Sequence, residues 1–317
     1  MDQFGQWSRR DVWVRKLLYP GHTLPTAAAP VLVACGLAVH DRVFAAVPAL
    51  LALLAGWLIQ LGGVLTDNYE NLVRQPEDSE HPELVAALHG GALSLGQLKA
   101  AIAACYAIAL LMGCYLLYAA GPFVLWIGLL SIAASWTYSA GPCPIGKLGL
   151  ADPLFFAFFG IVSVLGAYYV QAATFAGEVF ASWVVAQALP ASALALSLPV
   201  GALTTNILIV DDIRDREFDV VKGKRTVAVR FGKGWSRAEF LALLALAYLA
   251  PLWFWLGIGF SAWILLPWLT LPAAVGAARA VLTLDRYEQL LPVTPRAGRL
   301  LLAYCALLAI GAAVRSS

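Results

Sequence analysis

Five acidic residues, Asp211, Asp212, Asp215, Glu217 and Asp219, fall within nine positions, and a basic run, Lys222, Lys224 and Arg225, follows at once. Asp211, Asp215 and Asp219 are spaced i, i+4, i+8. On a continuing helix they share one face, about 6 Å apart along the axis. Carboxylates that close repel one another unless a cation sits among them. Oxygen-only ligation suits Mg2+, which takes one or two carboxylates and completes its shell with water and substrate phosphates. The neighbouring cations suit an anion. An apolar run, ALPASALALSLPVGALTTNILIV, leads directly into this block. Carboxylates, cations and membrane together predict a site for a lipid diphosphate held through magnesium.

A second acidic stretch reads GGVLTDNYENLVRQPEDSEHPELV. Asp67 and Glu70 are three apart and share a helical face. Glu77 and Asp78 lie beyond a proline and read as loop. Arg74 is placed either to hold a phosphate or to pair with Glu70. Glu80 and Glu83 read as solvated charge, and His81 and His89 lack partners at metal-ligand spacing. A third stretch, WTYSAGPCPIGKLGLADP, is a Gly- and Pro-rich turn. It carries Tyr138 at the end of an apolar run, Lys147 as its only base, and Asp152 where a helix cap is expected. A single charged loop of this kind is ordinarily a solvated face held by weak surface pairs. Two of them, each closing an apolar helix on the same side, argue for a site.

The elements that must position these residues are membrane helices. The 317 residues are 61% hydrophobic and 13% charged, against about 25% charged in soluble domains. Nine runs approach or exceed the length that crosses a bilayer, at roughly 22–39, 43–66, 98–118, 122–138, 153–172, 184–210, 238–257, 260–279 and 296–314. Helices are the default for such segments, because each must satisfy its own backbone. Pro190 and Pro199 predict a kink in the sixth. With a cytoplasmic N-terminus, nineteen of the twenty-one Lys and Arg residues fall inside, and only Arg42 and Arg315 fall outside. That bias fixes an N-in, C-out topology. Residues 1–20 form a polar, basic cytoplasmic segment. The two long inside connections, 67–97 and 211–237, hold eleven of the nineteen acids, and their spacing is consistent with a pseudo-repeat. The five cysteines are scattered. Four lie in apolar runs and read as small filler; Cys143 lies in a loop with nothing beside it to make it a nucleophile. Nothing calls for nucleic acid or an obligate protein partner. A secondary transporter would place its carboxylates near the middle of its spans; here the span centres are almost free of charge.

These features resemble the UbiA superfamily of intramembrane aromatic prenyltransferases. The D-x-x-x-D run Asp215–Asp219, with Asp211 one turn earlier, matches that family's second aspartate-rich motif. The following KGKRTVAVRFG is similar to the tail of its 1,4-dihydroxy-2-naphthoate prenyltransferase branch, as are HTLPTAAAPVLVACGLA and YSAGPCPIGKLGL. The resemblance covers nearly the whole chain. The first motif departs from the family pattern: Thr66 stands where Asn is usual, Glu70 where Asp is usual, and Arg74 where a further Asp often lies. Glu77 or Asp78 is the candidate replacement.

The resemblance implies an all-α polytopic protein, a single domain over 1–317, with nine transmembrane helices and acid-rich cytoplasmic loops, resident in the inner membrane. It implies transfer of a polyprenyl group from an allylic diphosphate to an aromatic acceptor in menaquinone biosynthesis. The acceptor is 1,4-dihydroxy-2-naphthoate; a hydroxybenzoate, chlorin, haem or glycerol phosphate is the alternative. A member that binds isoprenoids without catalysis is a further one. Asp211, Asp215 and Asp219 would hold one Mg2+, and Asp67 and Glu70 another. Arg74, Lys147, Lys222 and Arg225 would contact the diphosphate, and Tyr138 would face the allylic carbon.

Overall fold

The computed structural model describes residues 9–13, 17, 23–74, 82–142, 144–176 and 189–315. Among them every regular element is helical. Most of the N-terminal segment, Glu77, Asp78, Glu80, His81, Cys143 and the start of the sixth predicted span lie outside the described residues.

The helices are α1 (Thr23–His40), α2 (Ala46–Arg74), a short α3 (Pro82–His89), α4 (Leu95–Ala120), α5 (Phe123–Ser139), α6 (Ala151–Ala176), α7 (Ala191–Val221), α8 (Lys233–Ile258), α9 (Ala262–Thr283) and α10 (Val293–Ala313). Seven of the nine predicted spans are met by helices long and apolar enough to cross a membrane; those at 22–39 and 122–138 are met by the shorter apolar helices α1 and α5.

α7 forms the axis of the bundle and is almost wholly buried, packed by α1, α6, α8 and α10. Its inner face is built from small residues, among them Ala193, Ser197, Gly201, Thr204 and Thr205. Without water to drive association in a membrane, such residues let backbones approach closely. At the crossing of α6 and α7, a Cβ on Gly160 would lie 2.6 Å from the Cα of Gly201. Gly160→Val is therefore expected to destabilise the protein by about 3 kcal/mol through overpacking, read as a lower unfolding temperature in detergent. An unchanged unfolding temperature would show that the crossing can relax. Around this contact α6 widens into a π-helical stretch, Phe156–Val162. The Ser163 hydroxyl donates to the Phe158 carbonyl at 2.7 Å.

Asp67 and Glu70 of the first expected acid-rich loop, and all five acids of the second, lie instead on helix ends. α2 runs on through Asp67 and Glu70 to Arg74, and α7 continues through all five acids to Val221. Nothing in DDIRDREFD breaks a helix; α7 stops where Gly223 adopts φ +68°, a left-handed conformation that suits glycine. Pro199 lies inside α7 without ending it, and Pro190 immediately precedes its first residue.

Candidate active site

At one end of the bundle the last turns of α2, α5 and α7 meet the segments 140–142 and 144–150. Asp67 is held from two sides: Ser139 donates to its Oδ1 at 2.8 Å and Asn71 to its Oδ2 at 3.1 Å. One turn on, Glu70 accepts from Arg74 Nε at 2.6 Å, and the same guanidinium donates to the Gly141 carbonyl at 3.2 Å. Arg74 thus ties α2 to the turn after α5, and its charge stays at the site.

The α7 acids divide into two sets. Arg214 lies between Asp211, at 2.5 Å, and Asp215, which it binds in a fork at 2.7 and 2.5 Å. Thr294, at the start of α10, donates to Asp211 at 2.6 Å, and the Arg214 guanidinium sits 5.8 Å from the Tyr287 ring centre. Asp219 pairs with Lys224 at 3.0 Å. Asp212 is only 8% exposed, and among the described residues no hydrogen bond or ion pair reaches its carboxylate. A buried carboxylate with no donor is costly unless a cation compensates it.

Two cavities share this end. The smaller, about 50 Å3, is polar and lined by Asp67, Glu70, Arg74, Tyr138, Lys147, Asp212, Lys222 and Lys224, among others. The larger, about 690 Å3, runs into the bundle between apolar walls from α2, α4, α5 and α6, and its polar end includes Asp67, Tyr138, Asp211, Asp212, Asp215, Asp219 and Lys224. Asp67, Tyr138, Asp212 and Lys224 therefore belong to both. An aromatic series leads inward from the polar end: Tyr138 to Phe155 at 5.7 Å between ring centres, then Phe155 to Phe159 at 5.0 Å.

Of the residues expected from the sequence, Asp67, Glu70, Arg74, Tyr138, Lys147 and Lys222 meet around the smaller cavity, and Asp211, Asp215 and Asp219 around the larger. Arg225 is exposed and lines neither; its amide donates to the Lys147 carbonyl at 3.1 Å, tying the two polar turns together. Asp152 is not a helix cap. It is buried, and its Oδ1 has no hydrogen-bond partner. Sequence reasoning gave Asp212 no role at the site and named Lys224 only within the basic run that suits an anion. The signal for Asp212 was present: Asp212, Asp215 and Asp219 follow i, i+3, i+7, which is as good a helical stripe as i, i+4, i+8, and it is the more buried of the two. No three Asp, Glu, His or Cys side chains among the described residues converge as a ready-made metal cage. The arrangement suits a cation that takes few protein ligands and relies on phosphate oxygens for the rest.

The sequence pattern of the UbiA prenyltransferase family matches residues 27–293. The chain belongs to this family. With these apolar helices, this UbiA family member is an integral membrane protein. It is 33% identical to the 1,4-dihydroxy-2-naphthoate octaprenyltransferase of Escherichia coli strain K12 over 79% of its own length and 82% of that protein's. Among solved structures it resembles the apo UbiA homolog from Aeropyrum pernix K1, with a TM-score of 0.61, 20% identity, and coverage of 94% of this chain and 97% of that one. It also resembles a UbiA homolog from Archaeoglobus fulgidus bound to DMAPP and Mg2+, with a TM-score of 0.53, 16% identity, and coverage of 93% and 98%. These likenesses establish the UbiA fold for this chain.

Proposed function

We propose that this UbiA family protein transfers a polyprenyl group from an allylic diphosphate to 1,4-dihydroxy-2-naphthoate, a step of menaquinone biosynthesis. The observation that carries the reading is the pair of cavities sharing Asp67, Tyr138, Asp212 and Lys224. A polar chamber holding both carboxylates and cations adjoins an apolar one, which fits a diphosphate head on an isoprenoid tail. The naphthoate acceptor is supported by the name of the Escherichia coli relative, and Mg2+ by the ligands of the Archaeoglobus fulgidus homolog.

The residues that would hold Mg2+ are Asp212, Asp215 and Asp219 from α7 and Asp67 and Glu70 from α2. When bound, Mg2+ neutralises the charge that builds on the departing diphosphate. Arg74, Lys147, Lys222 and Lys224 line the chamber and stabilise that same charge. As the allylic C–O bond breaks, its electron pair leaves on the diphosphate oxygen. The faces of Tyr138 and Phe155 lie beside the electron-poor carbon that remains. An electron-rich ring carbon of the acceptor forms the new C–C bond. If that carbon bears the carboxylate, departing carbon dioxide returns its electron pair to the ring, so no base need remove a ring proton. The apolar walls exclude water, which would otherwise capture the cation.

In this reading α1 and α5 cross the membrane with the seven longer helices, giving nine crossings. The acidic end faces the cytoplasm and the C-terminus lies outside. Arg315, which donates to the His40 carbonyl at the far end of α1, is consistent with that placement.

The test uses purified protein in nanodiscs with octaprenyl diphosphate, Mg2+ and either 1,4-dihydroxy-2-naphthoate or a hydroxybenzoate. The expected result is a prenylated, decarboxylated naphthoate product that disappears with EDTA. Turnover of the hydroxybenzoate alone would move the acceptor assignment. Absence of product with every acceptor would overturn the reading.

A further inference from the structure

Five glycines line the apolar cavity: Gly56 and Gly63 on α2, Gly113 on α4, Gly128 on α5 and Gly166 on α6. Two of them are explained by packing. A Cβ on Gly63 would lie 2.5 Å from Ser135 Oγ, and one on Gly166 would lie 3.3 Å from Ile127. The other three are not: a Cβ on Gly56, Gly113 or Gly128 would meet no atom within 4 Å. Glycine in a helix interior costs about 1 kcal/mol relative to alanine. Helix packing gives no reason for it at these three positions.

The three lie at one depth. Ser135 Oγ donates to the Ile59 carbonyl at 2.8 Å and lies 3.1 Å from Tyr106 Oη, and Tyr106 packs on Gly62. These contacts set α2 residues 59–63, α4 residue 106 and α5 residue 135 side by side. From that level Gly113 is seven residues on, Gly128 seven residues back, and Gly56 seven residues before Gly63. Because α4 runs antiparallel to α2 and α5, all three steps lead the same way. Seven residues is close to two turns, and all three glycines line the cavity. The same level is eleven residues from both partners of the Ser139–Asp67 hydrogen bond, about 16 Å along the axis.

We propose that Gly56, Gly113 and Gly128 form a collar that sets which prenyl chain lengths the enzyme accepts, by leaving room for the part of the tail remote from the diphosphate. This rests on the prenyl-transfer reading above. Short allylic diphosphates end before the collar; long ones must pass it.

The experiment compares kcat/KM for geranyl and octaprenyl diphosphates, with 1,4-dihydroxy-2-naphthoate as acceptor, in the wild type and in Gly56→Leu, Gly113→Leu and Gly128→Leu. Gly276→Leu on α9 is the control, since a Cβ there also meets nothing within 4 Å and Gly276 lines neither cavity. The octaprenyl-to-geranyl ratio is expected to fall by roughly tenfold or more in the collar variants and to keep its wild-type value in the control. Unchanged ratios, or equal losses with both diphosphates, would overturn the proposal. A second readout needs no turnover. Cys114 is a free, exposed thiol that lines the same cavity beside Gly113. Octaprenyl diphosphate with Mg2+ should protect it from maleimide, and dimethylallyl diphosphate should not. Equal labelling under both conditions would refute the collar. A wild type that protects Cys114 but turns over neither diphosphate would instead count against the proposed acceptor and leave the collar supported.

Discussion

Asp212→Asn is expected to lower kcat/KM for prenyl transfer by roughly 10²–10³-fold, the range seen when one preorganised electrostatic partner of a transition state is removed. Asp212 lines both cavities, is 8% exposed, and accepts no hydrogen bond from the described residues. Its neighbours Asp211, Asp215 and Asp219 already have cationic side chains bound to them. Among the α7 acids proposed to hold Mg2+, Asp212 is therefore the one to which no described side chain is ion-paired. The asparagine keeps the shape and removes the charge, so its cost in metal-free protein has the opposite sign. A buried carboxylate without a donor destabilises the fold, and Asp212→Asn should unfold at the same or a higher temperature in EDTA. Activity lost together with stability would mean that Asp212 is structural. Activity retained would remove it from the mechanism.

Arg214→Met is expected to destabilise the protein by about 3 kcal/mol, as when one member of a largely buried charge pair is removed. The Arg214 side chain is 16% exposed and that of Asp215 9%, so solvent screens the pair only partly. Without Arg214, Asp211 keeps its bond from Thr294, while Asp215 loses the fork of two hydrogen bonds described above. The two carboxylates then lie one helical turn apart without the guanidinium between them. Arg214→Lys should recover only part of the loss, because an ammonium cannot make the planar fork. Thermal unfolding of the three proteins in one detergent checks this. Equal unfolding temperatures for wild type and Arg214→Met would show that the network contributes nothing to stability.

Much of this was legible in the residues. Apolar run length located the helices, because a membrane segment must close its own hydrogen bonds, and acid spacing placed Asp215 and Asp219 on one face. The helix ends were harder to read. Polar residues such as Asp67 and Glu70 ended the apolar run of α2, yet nothing there stops a helix, so α2 continues to Arg74. Pairwise spacing also could not say which acids would be neutralised. Thr294 is 83 residues from Asp211 in sequence and donates to it at 2.6 Å; that tertiary contact adds to the local Arg214–Asp211 pair, and spacing alone does not show it. Asp152 looked like a cap for the same reason: its burial comes from the packing of the start of α6 against α7, which local sequence does not encode. Arg225 shared a basic run with Lys222 and Lys224, but the turn after α7 sends it outward while Lys222 is buried.

The central claim is that the ends of α2 and α7 jointly hold a cation together with a diphosphate. Its most direct measurement is Mn2+ binding by electron paramagnetic resonance in nanodiscs, with and without a non-reactive thiolo analogue of geranyl diphosphate. Weak Mn2+ binding that tightens at least tenfold with the analogue is predicted, because few protein ligands leave the metal dependent on phosphate oxygens. Asp67→Asn and Asp212→Asn should each abolish the tightening. Mn2+ affinity that is indifferent to the analogue, or tightening that survives both substitutions, would contradict the account.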